Sequence, residues 1–357
     1  MPQLVSLTLA GNNADIIGDA LRSVVDQVDL CVVVDTRTLA IDGTLDVAQL
    51  VCGEKLRVFR KPWRDDFGYM RSAALDCAAQ LQADWALWVD TDERIVAEPG
   101  KVRELVETAG DLMDAISCWH VSGEYAKERL IRLPRQGKYH GRTHEFWDPA
   151  DLDDKRIGRS HESVRFDELP KTPEQMTATL ERDLQLLQAQ MDEEPDEPRW
   201  PYYMGDSYQL LGDKDRALDS FMRAMTTSMG WEELRGWAAF RAANLMIEEG
   251  EPGAALQVAC QGMALCPYPE LLWTAAASCF VAGDYPNAIM WAMLCVSSGN
   301  YTGWGKTIHR SGHVFPPALY ESPFDILSRS YAAMGDEELG AMTRNEYESA
   351  KALREAA

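Results

Sequence analysis

Residues 85–93 read Trp-Ala-Leu-Trp-Val-Asp-Thr-Asp-Glu (WALWVDTDE). The apolar run fits a buried strand, and it delivers Asp90 and Asp92 to a polar edge. Working back toward the N-terminus, three more runs read as strands: LVSLTLA at 4–10, DLCVVV at 29–34 and LRVFR at 56–60. Between them, apolar residues recur at helical spacing over 14–27, near 44–52 and over 67–82. Asp65 or Asp66 stands where it can cap the third of these helices. Strands alternating with helices predict a parallel sheet covered on both faces. Such sheets bind ligands at the carboxyl ends of their strands, and Asp35 and Asp90 both fall there.

Working toward the C-terminus, strand signals stop near residue 170. A long helix is expected over 174–192, and EEPDEP at 193–198 breaks it. A repeat follows, marked first by Gly205, Tyr208, Gly212, Ala217, Phe221 and Ala224, then by Gly250, Ala255 and Pro267, then by Gly283 and Ala288, and last by Tyr331 and Gly335. The glycines Gly212, Gly250 and Gly283 stand 38 and 33 residues apart. This pattern resembles tetratricopeptide repeats, whose period is about 34 residues. Glycine-acid pairs at 212–213, 283–284 and 335–336 are expected to end the first helix of a pair. The stretch 299–321 interrupts the array and reads as an inserted loop carrying His309 and His313. The expected division is therefore an α/β domain over 1–170 and an all-α repeat solenoid over 171–357.

With 357 residues the chain suits two cores rather than one. A hydrophobic content of 46% is that of a soluble globular protein, and the net charge of −22 excludes nucleic acid and anionic membrane as general partners. The same field repels a nucleotide diphosphate unless a cation lies between them. No apolar stretch reaches the length of about 18 residues that a membrane span needs, and Met1-Pro2-Gln3 does not open a signal peptide. Eight cysteines without a Cys-x-x-Cys pair predict free, mostly buried thiols and a cytoplasmic location.

Two carboxylates on alternate residues beside a strand end suit Mg²⁺ or Mn²⁺, which prefer oxygen ligands and bridge phosphates. Asp90 and Asp92 in that pattern point to a cation that neutralises a leaving diphosphate. Taken alone, Asp-x-Asp is more often a plain solvated turn. Its setting decides between the two. WRDDFGYMRSAALDCAAQLQADWALWVDTDE at 63–93 resembles the tetratricopeptide-bearing branch of the family-2 glycosyltransferases through Trp63, Asp65, Asp66, Phe67, Arg71, Trp85, Trp88, Asp90, Asp92 and Glu93. RLIRLPRQGKYHGRTHE at 129–145 is similar to a later stretch of that family through Arg132, Tyr139, Gly141, His144 and Glu145. Val34-Asp35-Thr36 matches the family's second strand end. Two departures stand out. Gly11-Asn12-Asn13 replaces the usual Lys-Asn-Glu, and the loop after Asp35 is longer than usual.

The resemblance implies a GT-A-like, Rossmann-like nucleotide-sugar domain followed by a tetratricopeptide-like solenoid. It also implies inverting transfer of a sugar from a nucleotide diphosphate sugar, a UDP-sugar first, with Mn²⁺ or Mg²⁺. It assigns Asp35 to the nucleobase, Asp90 and Asp92 to metal and ribose, and Arg71 to the diphosphate. Asp66 is either a ligand-site residue or a plain helix cap. Glu145 is the candidate general base on the acceptor side. A late histidine, His161, is the candidate third metal ligand, ahead of His144. The repeats imply a protein or peptide acceptor, and the chain is compatible with a homo-oligomer. The competing class is a non-catalytic repeat scaffold with a degenerate nucleotide domain. A sugar nucleotidyltransferase ranks lower, because Gly11-Asn12-Asn13 lacks the basic, glycine-rich loop it needs.

Overall fold

The computed structural model describes residues 1–38, 42–123, 125–149, 157–228, 230–299 and 315–356, with backbone alone at 159–162. The chain forms two compact units, Met1–Ala178 and Thr179–Ala357.

In the first unit, β1 (Leu4–Ala10), β2 (Leu30–Asp35), β3 (Leu56–Arg60) and β4 (Trp85–Trp88) alternate with α1 (Ile17–Val24), α2 (Thr44–Cys52) and α3 (Phe67–Ala79). These four strands pair in parallel in the order β3-β2-β1-β4, as their apolar runs predict. The sheet then continues in a way those runs did not reveal. β5 (Glu93–Ala97), α4 (Lys101–Ala109), β6 (Ala115–His120) and β7 (Ala126–Arg132) follow, then β8 (Gly137–His140), β9 (Phe146–Pro149) and β10 (Ile157–Glu168). β7, β6, β10 and β5 extend the sheet beyond β4, with β7 and β5 antiparallel to their neighbours, so the sheet is mixed rather than parallel. AKERLIR in β7 and ERIVA in β5 mix charged with apolar residues. Strands of that kind give no continuous apolar run.

One core lies where α1, α2 and α4 cover the sheet, centred on Leu4, Leu21, Leu87, Val106 and Phe166. The other lies under α3, with Val34, Leu75, Trp88, Tyr139 and Trp147. Gly68 lets α3 approach the β8–β9 hairpin, since a Cβ there would lie 2.7 Å from the Gly141 carbonyl oxygen. The Phe67 and Gly68 amides donate to the Arg142 and Gly141 carbonyls at 2.9 and 3.0 Å. The Tyr139 amide donates to Ser72 Oγ at 2.9 Å. The helix is thereby fixed with Arg71 facing β4.

α5 (Pro173–Glu193) crosses the division between the units. The second unit then pairs α6 (Arg199–Leu210) with α7 (Lys214–Thr226), α8 (Glu232–Glu248) with α9 (Pro252–Leu265), α10 (Pro269–Val281) with α11 (Tyr285–Ser298), and α12 (Ser322–Ala333) with α13 (Glu337–Glu355). Gly212, Gly250, Gly283 and Gly335 follow the first helix of each pair with φ of 80, 81, 77 and 84°. Asp213, Asp284 and Asp336 then cap the second helix, each carboxylate accepting a backbone N–H three residues on. Most of the inserted stretch, His309 and His313 included, lies outside the described residues. Its end is described, and there Phe315 packs 4.7 Å from Trp273 and 5.9 Å from Phe240, ring centre to ring centre. Among the described residues no helix is long and apolar enough to cross a membrane. The eight cysteines are free, and all but Cys260 are buried.

Candidate active site

The strand run ends at Trp88, and the chain turns at residues 90–93 into β5. The Glu93 amide donates to the Asp90 carbonyl at 2.9 Å, closing the turn. Asp92 stands on it with its side chain 38% exposed, and Lys171 Nζ lies 3.9 Å from its Oδ2. Its carbonyl accepts the Leu169 amide at 2.8 Å, joining the turn to the end of β10.

Asp90 sits differently. Its Oδ1 and Oδ2 accept Arg71 Nη1 and Nη2 at 2.9 and 2.7 Å, and Arg129 Nη2 lies 3.6 Å away. Burial pushes the Asp90 carboxyl up, but Arg71 and Arg129 outweigh it and hold it below the usual carboxylate range. Arg71 also donates Nε to Glu145 Oε1 at 2.6 Å and packs over the Trp88 ring at 4.8 Å. Burial opposes its charge, while Asp90 and Glu145 hold the guanidinium well above its ordinary value. Arg71 is therefore a buried bridge between two carboxylates rather than an open arm for a diphosphate.

The Asp35 carboxylate accepts Arg37 Nε at 2.8 Å and Nη2 at 3.0 Å, and Arg37 Nη1 reaches Asp42 Oδ1 at 3.4 Å. The hydrogen bonds from Arg37 hold Asp35 below its usual range despite burial. Asp35 thus closes the carboxyl end of β2 as half of an ion pair. Asp66 caps α3, its Oδ1 accepting the Tyr69 amide at 2.7 Å, which is the plain-cap reading. The structure brings Asp90, Arg71 and Glu145 together, with Asp92 two residues beyond. His161 lies on β10, where the backbone alone is described. His144 is described, in the left-handed region at φ 49°.

Glu93, Arg129 and Lys127 complete the edge and were not assigned roles from the sequence. Glu93 is 1% exposed and Arg129 3%, and they form an ion pair. Glu93 Oε2 accepts the Asp90 amide at 3.1 Å. Burial raises the Glu93 carboxyl above its usual range although Arg129 pulls it down. Lys127 bonds Glu168 and stands 3.5 Å from Glu93. Arg132, which matched the family motif, pairs instead with Asp111 and Asp114 beside Trp85, at the opposite end of β4. The signal for Arg129 was alternation: it lies two residues after Lys127 on a strand mixing charge with apolar residues.

Asp90 and Asp92 differ as ligands for a divalent cation. Both Asp90 oxygens are committed to Arg71, and two guanidiniums beside it repel a second cation. Among the described residues no three His, Cys, Asp or Glu side chains converge into a closed cage. Asp92 does fit the open mode, in which one carboxylate, water and substrate phosphates share the ion.

A parallel sheet wrapped by helices, a mixed extension and an acidic turn at the carboxyl edge define a GT-A-like domain. Residues 8–164 match the family described as glycosyl transferase family 2. It is 20% identical over 247 residues to the SPbeta prophage-derived glycosyltransferase SunS of Bacillus subtilis (strain 168), covering 66% of this chain and 56% of that protein. The same figures hold for the glycosyltransferase SunS of Bacillus phage SPbeta. The chain thus spans little more than half the length of these relatives. Among solved structures, MamA is similar over 53% of this chain and 100% of its own, at 11% identity and a TM-score of 0.39. The TPR-like repeats of a Podosopora anserina putative kinesin light chain are similar over 52% of this chain and 90% of theirs, at 16% identity and a TM-score of 0.39.

Proposed function

We propose that this protein is a metal-dependent inverting glycosyltransferase moving a sugar from a nucleotide diphosphate sugar, a UDP-sugar, to a protein or peptide acceptor. The observation that carries the proposal is the turn at 90–93 of a family-2 domain, where Asp92 presents an exposed carboxylate beside a buried, charge-balanced network. A divalent cation, when bound there, supplies charge to the leaving diphosphate. The remaining work falls to the chain. Asp92 and the diphosphate oxygens would hold that cation. The Asp35–Arg37 pair receives the nucleobase, Asp35 having lone-pair capacity left for the imide N–H that uracil offers. Arg71 keeps Asp90 and Glu145 at fixed separation, and Glu145 takes the acceptor's proton. The repeat unit offers the acceptor an extended surface, as repeat arrays do, and the acidic chain draws in a basic or neutral peptide over an acidic one.

The test is a screen of sugar nucleotides for slow hydrolysis with Mn²⁺, which needs no acceptor. Hydrolysis of one donor is expected, with loss in EDTA. The Asp92→Ala variant should lose it as well while melting like the wild type. Full activity in EDTA would refute the metal dependence, and an active Asp92→Ala variant would refute the site.

A further inference from the structure

The turn that carries Asp92 is closed twice. One bond is the ordinary turn bond from the Glu93 amide to the Asp90 carbonyl, at 2.9 Å. The other runs back, from the Asp90 amide to the Glu93 carboxylate, at 3.1 Å. The residue that ends the turn therefore also grips its beginning, and Asp92 lies between the two bonds. A flexible acidic side chain would not hold that grip alone. Glu93 is almost fully buried, and an isolated buried carboxylate is drawn toward water. Arg129, equally buried, opposes this by pairing with the other Glu93 oxygen, Oε1. Lys127 adds charge 3.5 Å from the same oxygen. Arg129 also lies 3.6 Å from Asp90 Oδ2, so one guanidinium is shared by both ends of the turn. β7 thus reaches across to fix a turn that β4 and β5 form.

We infer that Glu93 and Arg129 are positioning residues for Asp92: Glu93 staples the turn, and Arg129 holds that staple in place. The assignment rests on the glycosyl-transfer reading of Asp92, but the staple itself does not. The Asp92 carboxylate points to Lys171, 3.9 Å away, so Glu93 and Arg129 act on it through the backbone. A displacement of about 1 Å at such a group costs about 100-fold in rate.

Removing one partner alone leaves a lone buried charge and endangers folding, so the test uses paired substitutions. Replacing a buried ion pair by apolar residues of similar volume is often neutral for stability. Glu93→Met with Arg129→Met removes both charge and staple. Glu93→Gln with Arg129→Met removes the charges but leaves an amide oxygen to accept the Asp90 N–H. Two readouts are taken on each, the kcat for donor hydrolysis and hydrogen exchange of the segment 85–95. The Met/Met variant should fold, lose about 100-fold in kcat, and exchange about tenfold faster at 85–95 with no change over 67–79. The Gln/Met variant should recover at least half of that loss on a logarithmic scale. A merely structural pair would show equal rates in the two variants, and that result overturns the inference, as does unchanged exchange in the Met/Met variant. If the wild type hydrolyses no sugar nucleotide, the glycosyl-transfer reading fails, and exchange alone decides whether the staple exists.

Discussion

The helical-pair unit and the site edge of the sheet are built by opposite means. In three of the four described helix pairs the turn is made by neighbours: a left-handed glycine, an aspartate cap one residue on, and a backbone donor three residues further. At the site edge the partners are far apart in the chain. Arg71 reaches Asp90 across 19 residues and Glu145 across 74, and Arg129 reaches Glu93 across 36. Local rules make a scaffold that tolerates change one turn at a time. Long-range ion pairs make a site in which one substitution exposes several groups at once.

The largest effect that separates the two follows from Arg71. Arg71→Met removes three hydrogen bonds and takes the bridging cation from both Asp90 and Glu145, leaving Arg129, 3.6 Å from Asp90, as the nearest charge there. Breaking a buried pair in this way costs about 3–5 kcal/mol. Arg37→Met, by contrast, orphans chiefly Asp35 and should cost about 1–3 kcal/mol. Urea denaturation of the two variants checks the order. Equal losses would mean that the Asp90–Glu145 cluster is no more interdependent than a single pair.

Acid should act on the first unit through the same groups. Asp35 and Asp90 have folded pKa values below their unfolded value of about 3.9. Their stabilisation is complete above the unfolded value and is lost as pH falls through the folded values. Glu93 has the opposite sign: its raised value means that it binds a proton more readily folded than unfolded, which favours the folded state on acidification. Melting followed from pH 7 to pH 3 should therefore hold steady to about pH 4 and then fall. In Asp35→Asn the acid slope should be shallower. An unchanged slope would place the loss in other carboxylates.

These contrasts also explain what was legible. The apolar runs of β1 to β4 and the helices between them stood out because each is continuous and buried. Asp90 and Asp92 stood out because such a run ended on them. β5, β7 and β10 did not, since their residues divide between core and charged edge. Arg71 and Glu145 were visible as motif residues, but periodicity carries no information about a bond across 74 residues, so the bridge itself was not. The same limit hid the pairing of Arg129 with Glu93. Asp66 was readable in advance as a cap because a cap is local.

The smallest effect belongs to the helical unit and tests how local it is. Gly283 lies at φ 77°, and a Cβ placed there would meet no atom within 4 Å. Gly283→Ala therefore adds no clash, and its cost is the left-handed backbone alone, about 1 kcal/mol. Gly205 presents the other case, since a Cβ there would lie 2.6 Å from the ring of the fully buried Phe221. Gly205→Ala must shift that ring and should cost about 1–3 kcal/mol. Chemical denaturation of the two variants measures both. A Gly283→Ala loss as large as that of Gly205→Ala would show that the turn is tied to distant parts of the repeat array, and the local account of this unit would fail at the position where it is simplest.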